Sequence, residues 1–357
     1  MNMLNNFLGT KRQNRQRLCI KNWSKVYNLP MLNGPSKSSH DKAPIAIFTC
    51  RRPNHLSRLL TSLLRNKEIG ETELNIFVGG PKKHEDWVRV EEVIDIARNA
   101  SSKMNIRILE RFNAKTGSDL IKGGITEILS ARENVICLED DLIVRDDFLA
   151  YMNQALVRYS EEESVAAISG WNFGLMEHGK PSQTHLFPCT TSWGWATWRR
   201  SWEPNPNVQL DFEWLTAKSS RIHRFNFNET YNCLSMIERI LKDNYDAWDA
   251  AWYLHCFRRS LLTVFPNSSL IINSGFDGSG LNFKRSYEWK KEFDEDPQEI
   301  FTFPEEIGVS RQFTSYIQGL RSWVQSFWPD SNLKFFVDRI KRKRRQHLNY
   351  FNRRFYF

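Results

Sequence analysis

The sequence predicts an α/β fold: a mainly parallel sheet flanked by helices. Short apolar runs alternate with amphipathic stretches of helical period through the first 140 residues or so. The runs are apolar at nearly every position, as strands covered on both faces are. Turn-forming residues separate the two kinds of segment. A length of 357 residues allows one large α/β domain with appendages.

The elements follow in order. Residues 44–50, Pro-Ile-Ala-Ile-Phe-Thr-Cys, form the first strand, and Arg51-Arg52-Pro53-Asn54 is the loop that leaves it. Residues 55–66 carry Leu56, Leu59, Leu60, Leu63 and Leu64 at helical spacing. A second strand, 74–78, is closed by Gly79-Gly80-Pro81. Residues 86–100 place Trp87, Val90, Val93, Ile94 and Ala97 on one helical face, and 105–109 form a third strand. A helix over 121–129 leads to a fourth strand, 134–138. Later, 261–266 is a further strand, and 273–280 is a polar, Gly-rich loop, either a surface turn or a flap that closes on substrate. No G-x-G-x-x-G follows the first strand, so no dinucleotide cofactor is indicated.

The charge is unevenly placed. The whole chain carries +9, but residues 1–42 hold +7 and residues 331–357 hold +8, leaving −6 for 43–330. The expected organisation is a basic extension (1–42), an acidic body (43–330) of which 281–330 carries no readable motif, and a basic aromatic tail (331–357). In that tail, rings interleaved with Lys and Arg suit an anionic membrane surface, and equally a solvated segment. No helix-turn-helix, zinc or RNA-binding signature accompanies the charge, so nucleic acid is not an expected partner. No run reaches the ~18 apolar residues of a membrane span, and the first thirty residues lack a signal-like apolar core. The six cysteines include no C-x-x-C pair and read as reduced thiols.

Glu139-Asp140-Asp141 closes the fourth strand, with Asp146 and Asp147 shortly after. Ligands of open α/β sheets bind at the C-terminal ends of the strands. Asp146 or Asp147 can cap the helix that starts near Phe148. Three consecutive carboxylates at a strand mouth repel one another, and a divalent cation relieves this; hard oxygen donors favour Mg²⁺ or Mn²⁺ held together with a diphosphate. The alternative is a solvated acidic loop.

Five of the thirteen tryptophans fall between Trp171 and Trp202. Trp193, Trp195, Trp198 and Trp202 serve either as core or as faces that stack on sugar rings and bases, and Gly194 permits close approach or an unusual backbone angle. Farther along, Trp248-Asp249-Ala250-Ala251-Trp252 opens a helix. Asp249 reads as an acid of the first turn, or as a general base held between two indoles that raise its pKa. His255, on the apolar part of that helix, reads as core.

Taken in order, these motifs resemble those of GT-A glycosyltransferases, most of all N-acetylglucosaminyltransferase I and its bacterial relatives. The similar stretch runs over 43–280: the first strand with its Cys-Arg, Glu139-Asp140-Asp141 followed by Asp147-Phe148, Ser169-Gly170-Trp171-Asn172, Ser192-Trp193-Gly194-Trp195, and Trp248-Asp249. The resemblance implies a GT-A type, Rossmann-like fold with a Trp-rich acceptor side. It implies inverting, metal-dependent transfer of a hexosyl or N-acetylhexosaminyl group from a nucleotide-diphosphate sugar. Asp141 would ligate Mn²⁺ or Mg²⁺. Glu139 and Asp140 would contact ribose or donor sugar, with Arg51, Arg52 and Trp248 on the donor side. Trp193, Gly194 and Trp195 would face the acceptor, and Asp249 would be the catalytic base. Relatives carry an acid after the second strand that reads the base; Val78-Gly79-Gly80-Pro81 has none. The implied acceptor is a glycan or lipid-linked glycan of the bacterial surface, met by a cytoplasmic enzyme that the tail could bring to the inner membrane face. A nucleotidyltransferase and a catalytically silent sugar- or membrane-binding protein are the alternatives; the former would carry glycines in the loop 51–54.

Overall fold

In the computed structural model of the chain, the described residues are 42–172, 182–227, 232–275, 277, 293, 296–311 and 314–315. The tail expected at 331–357, the extension up to residue 41 and most of 281–330 lie outside them.

The apolar runs become strands β1 (Ile45–Thr49), β2 (Glu73–Gly79), β3 (Asn105–Arg111) and β4 (Asn134–Glu139), parallel in the order β3-β2-β1-β4. Every residue of β1 is buried, and alternation splits them between faces. Ile45 and Ile47 pack with α1 (Pro53–Leu63), α2 (Trp87–Ala100) and α4 (Phe148–Arg158), while Ala46 and Phe48 pack with α3 (Gly117–Leu129). Helix α1 starts two residues earlier than its leucines suggest, because Pro53 fits a first turn that needs no N–H. Helix α3 starts four residues early, because the Thr116 hydroxyl accepts the Asp119 amide (3.1 Å) and caps it.

Beyond β4 the sheet continues β8-β6-β9-β7, with β6 (Val165–Ser169), β7 (Thr184–Phe187), β8 (Trp195–Trp198) and β9 (Leu262–Pro266). Strands β8 and β7 run against the other six. The densest Trp stretch therefore supplies a central strand. A two-stranded ribbon, β5 (Leu142–Val144) with β10 (Ile271–Asn273), stands beside the end of β4. Helices α5 (Val208–Thr216), α6 (Ser219–Phe225), α7 (Cys233–Asp243) and α8 (Trp248–Arg258) enclose a third core around Phe225, Tyr253, Leu254 and Phe265.

Arg199 and Arg200, next after β8, close two helix ends. Arg199 donates to the carbonyls of Leu129 (2.6 Å) and Arg132 (2.9 Å) past α3; Arg200 donates to those of Tyr159 (2.8 Å) and Ser160 (3.2 Å) past α4. Asp147 occupies the N-cap position of α4 without capping it. Its carboxylate is held by a two-pronged pair with buried Arg145 (2.7 and 2.8 Å), and Asn66 accepts the Leu149 amide instead (2.9 Å). Asp146 pairs with Arg65. Neither aspartate makes the cap bond expected of it. Ordered packing also extends past residue 280: Phe301 and Phe303 lie against Tyr151 of α4, and Thr302 bridges to Gln183 beside edge strand β7. Among the described residues no helix is long and apolar enough to cross a membrane.

Candidate active site

β1 hands the chain leftward to β2, whereas β4 opens the rightward half. The crevice between their C-terminal ends is thus the topological switch point of the sheet. Into it project the loop after β1, with Arg51 and Arg52, and the acids that end β4. Parallel pairing sets Phe48 opposite Glu139, and the Phe48 carbonyl accepts the Asp140 amide (3.1 Å).

The three acids occupy different environments. Asp140 is 2% exposed. It accepts from the Thr49 hydroxyl (2.8 Å) and pairs with the Arg52 guanidinium. Arg52 also reaches Asp141 (2.8 Å). Asp141 remains partly open, its side chain 14% exposed. Ser274, just past β10, donates its amide (2.7 Å) and hydroxyl (2.8 Å) to the Asp141 carbonyl. A Cβ at Gly275 would collide with the Asp141 carboxylate, so any side chain here would have to displace it. Glu139 is half-buried. Desolvation, then the charge of Asp141, pushes its pKa up to about 8 against the pull of Arg52. Asp140 is pushed up to about 6, by desolvation first and in spite of Arg52. Burial opposes the Arg52 charge, but Asp140 and Asp141 outweigh it and raise its pKa.

The two neighbouring arginines part company. Arg51 turns to Asp86 (2.7 Å), which a 3₁₀ turn at His84–Asp86 brings back beside the strand ends. Next to that pair, Trp87 and Phe112 pack edge to face at 5.0 Å, and a Cβ on Gly80 would meet the Phe112 carbonyl at 2.8 Å. The β2 side of the crevice thus has a carboxylate after all, supplied from beyond the turn rather than from residues 78–81.

Asp249 lies in the first turn of α8. One carboxylate oxygen accepts the Ala250 amide (2.9 Å) and the other faces the Ser192 hydroxyl (3.4 Å). The side chain is exposed, and desolvation by the neighbouring protein raises its pKa. Its charge makes the smallest of the contributions that raise the Glu139 pKa. The indoles do not flank it as the sequence reading supposed. Trp248 and Trp252, four residues apart, share the helix face turned to the core and stack against Trp195 (5.7 and 4.8 Å), leaving Asp249 uncovered.

Gly194 divides its neighbours. Its φ is +60°, its carbonyl accepts the Gly170 amide (2.7 Å), and an added Cβ would lie 2.5 Å from Ile271. The kink turns Trp193 toward Trp171 (4.4 Å between centroids) on one face of the sheet and Trp195 into the core of the other. Trp195 is 2% exposed, so it supports the site from beneath and cannot touch an acceptor. Thr49 and Asp86 join the site without a local signal, since only tertiary pairing brings them there; Ser192 and Gly275 lie in segments the sequence marks, but their contacts with Asp249 and Asp141 are not legible in it.

The residues present fit a divalent ion in one respect. Two partly accessible hard-oxygen donors, Asp141 and Glu139, stand together with more negative charge than Arg52 relieves. Among the described residues no group of three or more His, Cys, Asp or Glu could hold a metal unaided. One or two carboxylates completed by a diphosphate is how Mg²⁺ is commonly held.

No family model matches the chain. Solved structures with similarity include TarS 1–349 of S. aureus (13% identity, 44% of this chain and 47% of that one, TM-score 0.32). Another is the mannosyltransferase PcManGT from Pyrobaculum calidifontis in complex with GDP-Man and Mn²⁺ (9%, 65% and 73%, 0.34). A third is 4-diphosphocytidyl-2C-methyl-D-erythritolsynthase from Anaerococcus prevotii (14%, 64% and 89%, 0.33). The chain spans about half the length of the TarS fragment. Likeness this remote carries no argument about this chain, whose reading rests on its own geometry.

Proposed function

We propose that the protein is an inverting, divalent-metal-dependent glycosyltransferase of the GT-A class, moving a hexosyl or N-acetylhexosaminyl group from a nucleotide-diphosphate sugar to a hydroxyl of a glycan or lipid-linked glycan. The observation that carries this reading is the cluster of Glu139, Asp140 and Asp141 with Arg52 at the switch point of the sheet; Asp249 acting with them is part of the proposal.

Asp141, with Glu139 beside it, would hold Mn²⁺ or Mg²⁺. When bound, the ion supplies Lewis-acid stabilisation of charge on the departing diphosphate. Asp140, buried between Thr49 and Arg52, anchors that arginine rather than touching ribose. Arg51 and Asp86 present a donor and an acceptor side by side, suited to the edge of a nucleobase. Asp249, wet and with a raised pKa, accepts the proton of the acceptor hydroxyl as its oxygen attacks the anomeric carbon. The bond from that carbon to the phosphate oxygen breaks on the opposite side, so configuration inverts. Trp193 borders the acceptor, and Ser192 orients the base. The resemblance to N-acetylglucosaminyltransferase I supports the N-acetylhexosaminyl option, and the basic tail supports work at an anionic membrane.

A screen of nucleotide sugars for Mn²⁺-dependent hydrolysis, with thermal shift in parallel, tests the proposal. At least one donor should be hydrolysed, and Asp141→Ala should abolish it. Donor binding with no turnover under any condition would identify a silent sugar-binding protein instead.

A further inference from the structure

A cavity of about 230 Å³ opens beside the start of α8. Trp202, Trp248 and Tyr245 give it aromatic walls, and Lys122, Glu203 and Asp246 give it a charged rim. We propose that this cavity is a carbohydrate subsite, holding a sugar unit of the acceptor next to the one that reacts. The inference rests on the glycosyl-transfer reading above and extends it from the reacting hydroxyl to the chain that bears it.

A pyranose ring presents apolar C–H faces and a belt of hydroxyls. Indole and phenol rings cover the former, and carboxylates placed around the ring accept from the latter. The walls are built in advance. The Trp202 indole N–H donates to the Thr126 hydroxyl (2.9 Å), and its ring packs on Trp252 (5.6 Å) and Trp248 (6.2 Å). Trp248 is stacked on Trp195 from beneath. Tyr245 is backed by the Arg239 guanidinium, 3.8 Å from its ring centre. A ligand meeting fixed rings gives up less entropy than one that must order them.

The lining also selects among ligands. Two carboxylates face one ammonium, and Lys122 already donates to Asn205 (3.3 Å). A phosphate group would meet net repulsion there. A purely apolar partner would strip water from Glu203, Asp246 and Lys122 without replacing its hydrogen bonds. A neutral polyhydroxylated ligand satisfies both rings and rim. Its position suits an acceptor: Trp248 lines the cavity, and the next residue in the helix is Asp249. Asp246, on the rim, is among the charges that raise the Asp249 pKa, so the two lie within electrostatic reach.

Saturation-transfer NMR on the full chain, without donor and with metal chelated, tests this. The probes are the methyl glycosides of glucose, galactose, mannose and N-acetylglucosamine, with lactose and N,N′-diacetylchitobiose as disaccharides. At least one disaccharide should bind saturably and quench tryptophan emission. Glu203→Gln and, separately, Asp246→Asn should weaken it about tenfold, the loss of one charge-assisted bond. Both variants replace rim groups and leave the stacked rings intact; unfolding midpoints confirm that they fold. No saturable binding by any probe, or affinities unmoved in both variants, overturns the subsite. Nucleotide-sugar hydrolysis by the wild-type chain is measured alongside. Hydrolysis without saccharide binding refutes the subsite alone, whereas saccharide binding without hydrolysis refutes the enzymatic reading and leaves a sugar-binding cavity.

Discussion

Arg52→Met isolates the internal cation that holds the acid cluster together. In the native chain one guanidinium serves both Asp140, 2% exposed, and Asp141. Removing one partner of a buried ion pair costs about 3–5 kcal/mol; the 20% exposure of the Arg52 side chain admits some screening, so about 2–4 kcal/mol is expected here. The loss should depend on pH, with a defined sign. Asp140 has its pKa raised from 3.8 to about 6, and Glu139 from 4.5 to about 8, even with Arg52 present. Raised carboxyls favour the folded state most below their unfolded pKa and lose that contribution as pH climbs through the folded values. Without Arg52 both shifts grow, so the variant's deficit should be small near about pH 4, open as pH passes about 6, and still be growing at about pH 8. Urea unfolding of both proteins, metal-free, across that range measures it. A deficit that stays constant with pH would refute the electrostatic reasoning and leave only lost packing of the arginine stem.

Three other outcomes follow from the same geometry. Gly194→Ala combines a left-handed backbone with a Cβ 2.5 Å from Ile271 and should cost about 2–3 kcal/mol in thermal or urea unfolding. Arg200→Ala forfeits bonds to the carbonyls of Tyr159, Ser160 and Val165 and should cost about 1–2 kcal/mol, discounted because the residue is largely exposed. If Asp249 is the base, kcat/KM for transfer should fall on acidification with a midpoint above the ordinary aspartate value of 3.8; Ser192→Ala, which deletes a bond that lowers the Asp249 pKa, should move that midpoint farther up.

The left half of the sheet was readable because β1, β2 and β4 are apolar runs buried on both faces, and because α1 and α2 repeat their apolar residues every three or four positions. The right half was harder. Trp195–Trp198 has the composition of a ligand platform, and only its pairing with β4 and β6 makes it a central strand. Thr184–Phe187 is too short to announce itself. The acids at 139–141 were found by residue type and position at the end of a strand, whereas Asp249 was singled out as a base only by the resemblance of Trp248-Asp249 to a family motif. Their partners were not: Asp86 reaches Arg51 across a 3₁₀ turn, Ser192 reaches Asp249 across 57 positions, and Asn66 rather than Asp147 caps α4. Hydrogen bonds between distant segments leave no local pattern to read.

The most direct test of the proposed chemistry pairs Asp249→Asn with the configuration of the product. With an accepted donor, Mn²⁺ and an acceptor saccharide, the wild-type chain should yield a glycoside whose anomeric configuration, read by NMR coupling, is opposite to that of the donor. Asp249→Asn should bind the donor as tightly as wild type and lose at least a hundredfold in transfer, on the order of what a general base contributes. A product of retained configuration, or transfer by the variant at the wild-type rate, would contradict the assignment of Asp249 as the base.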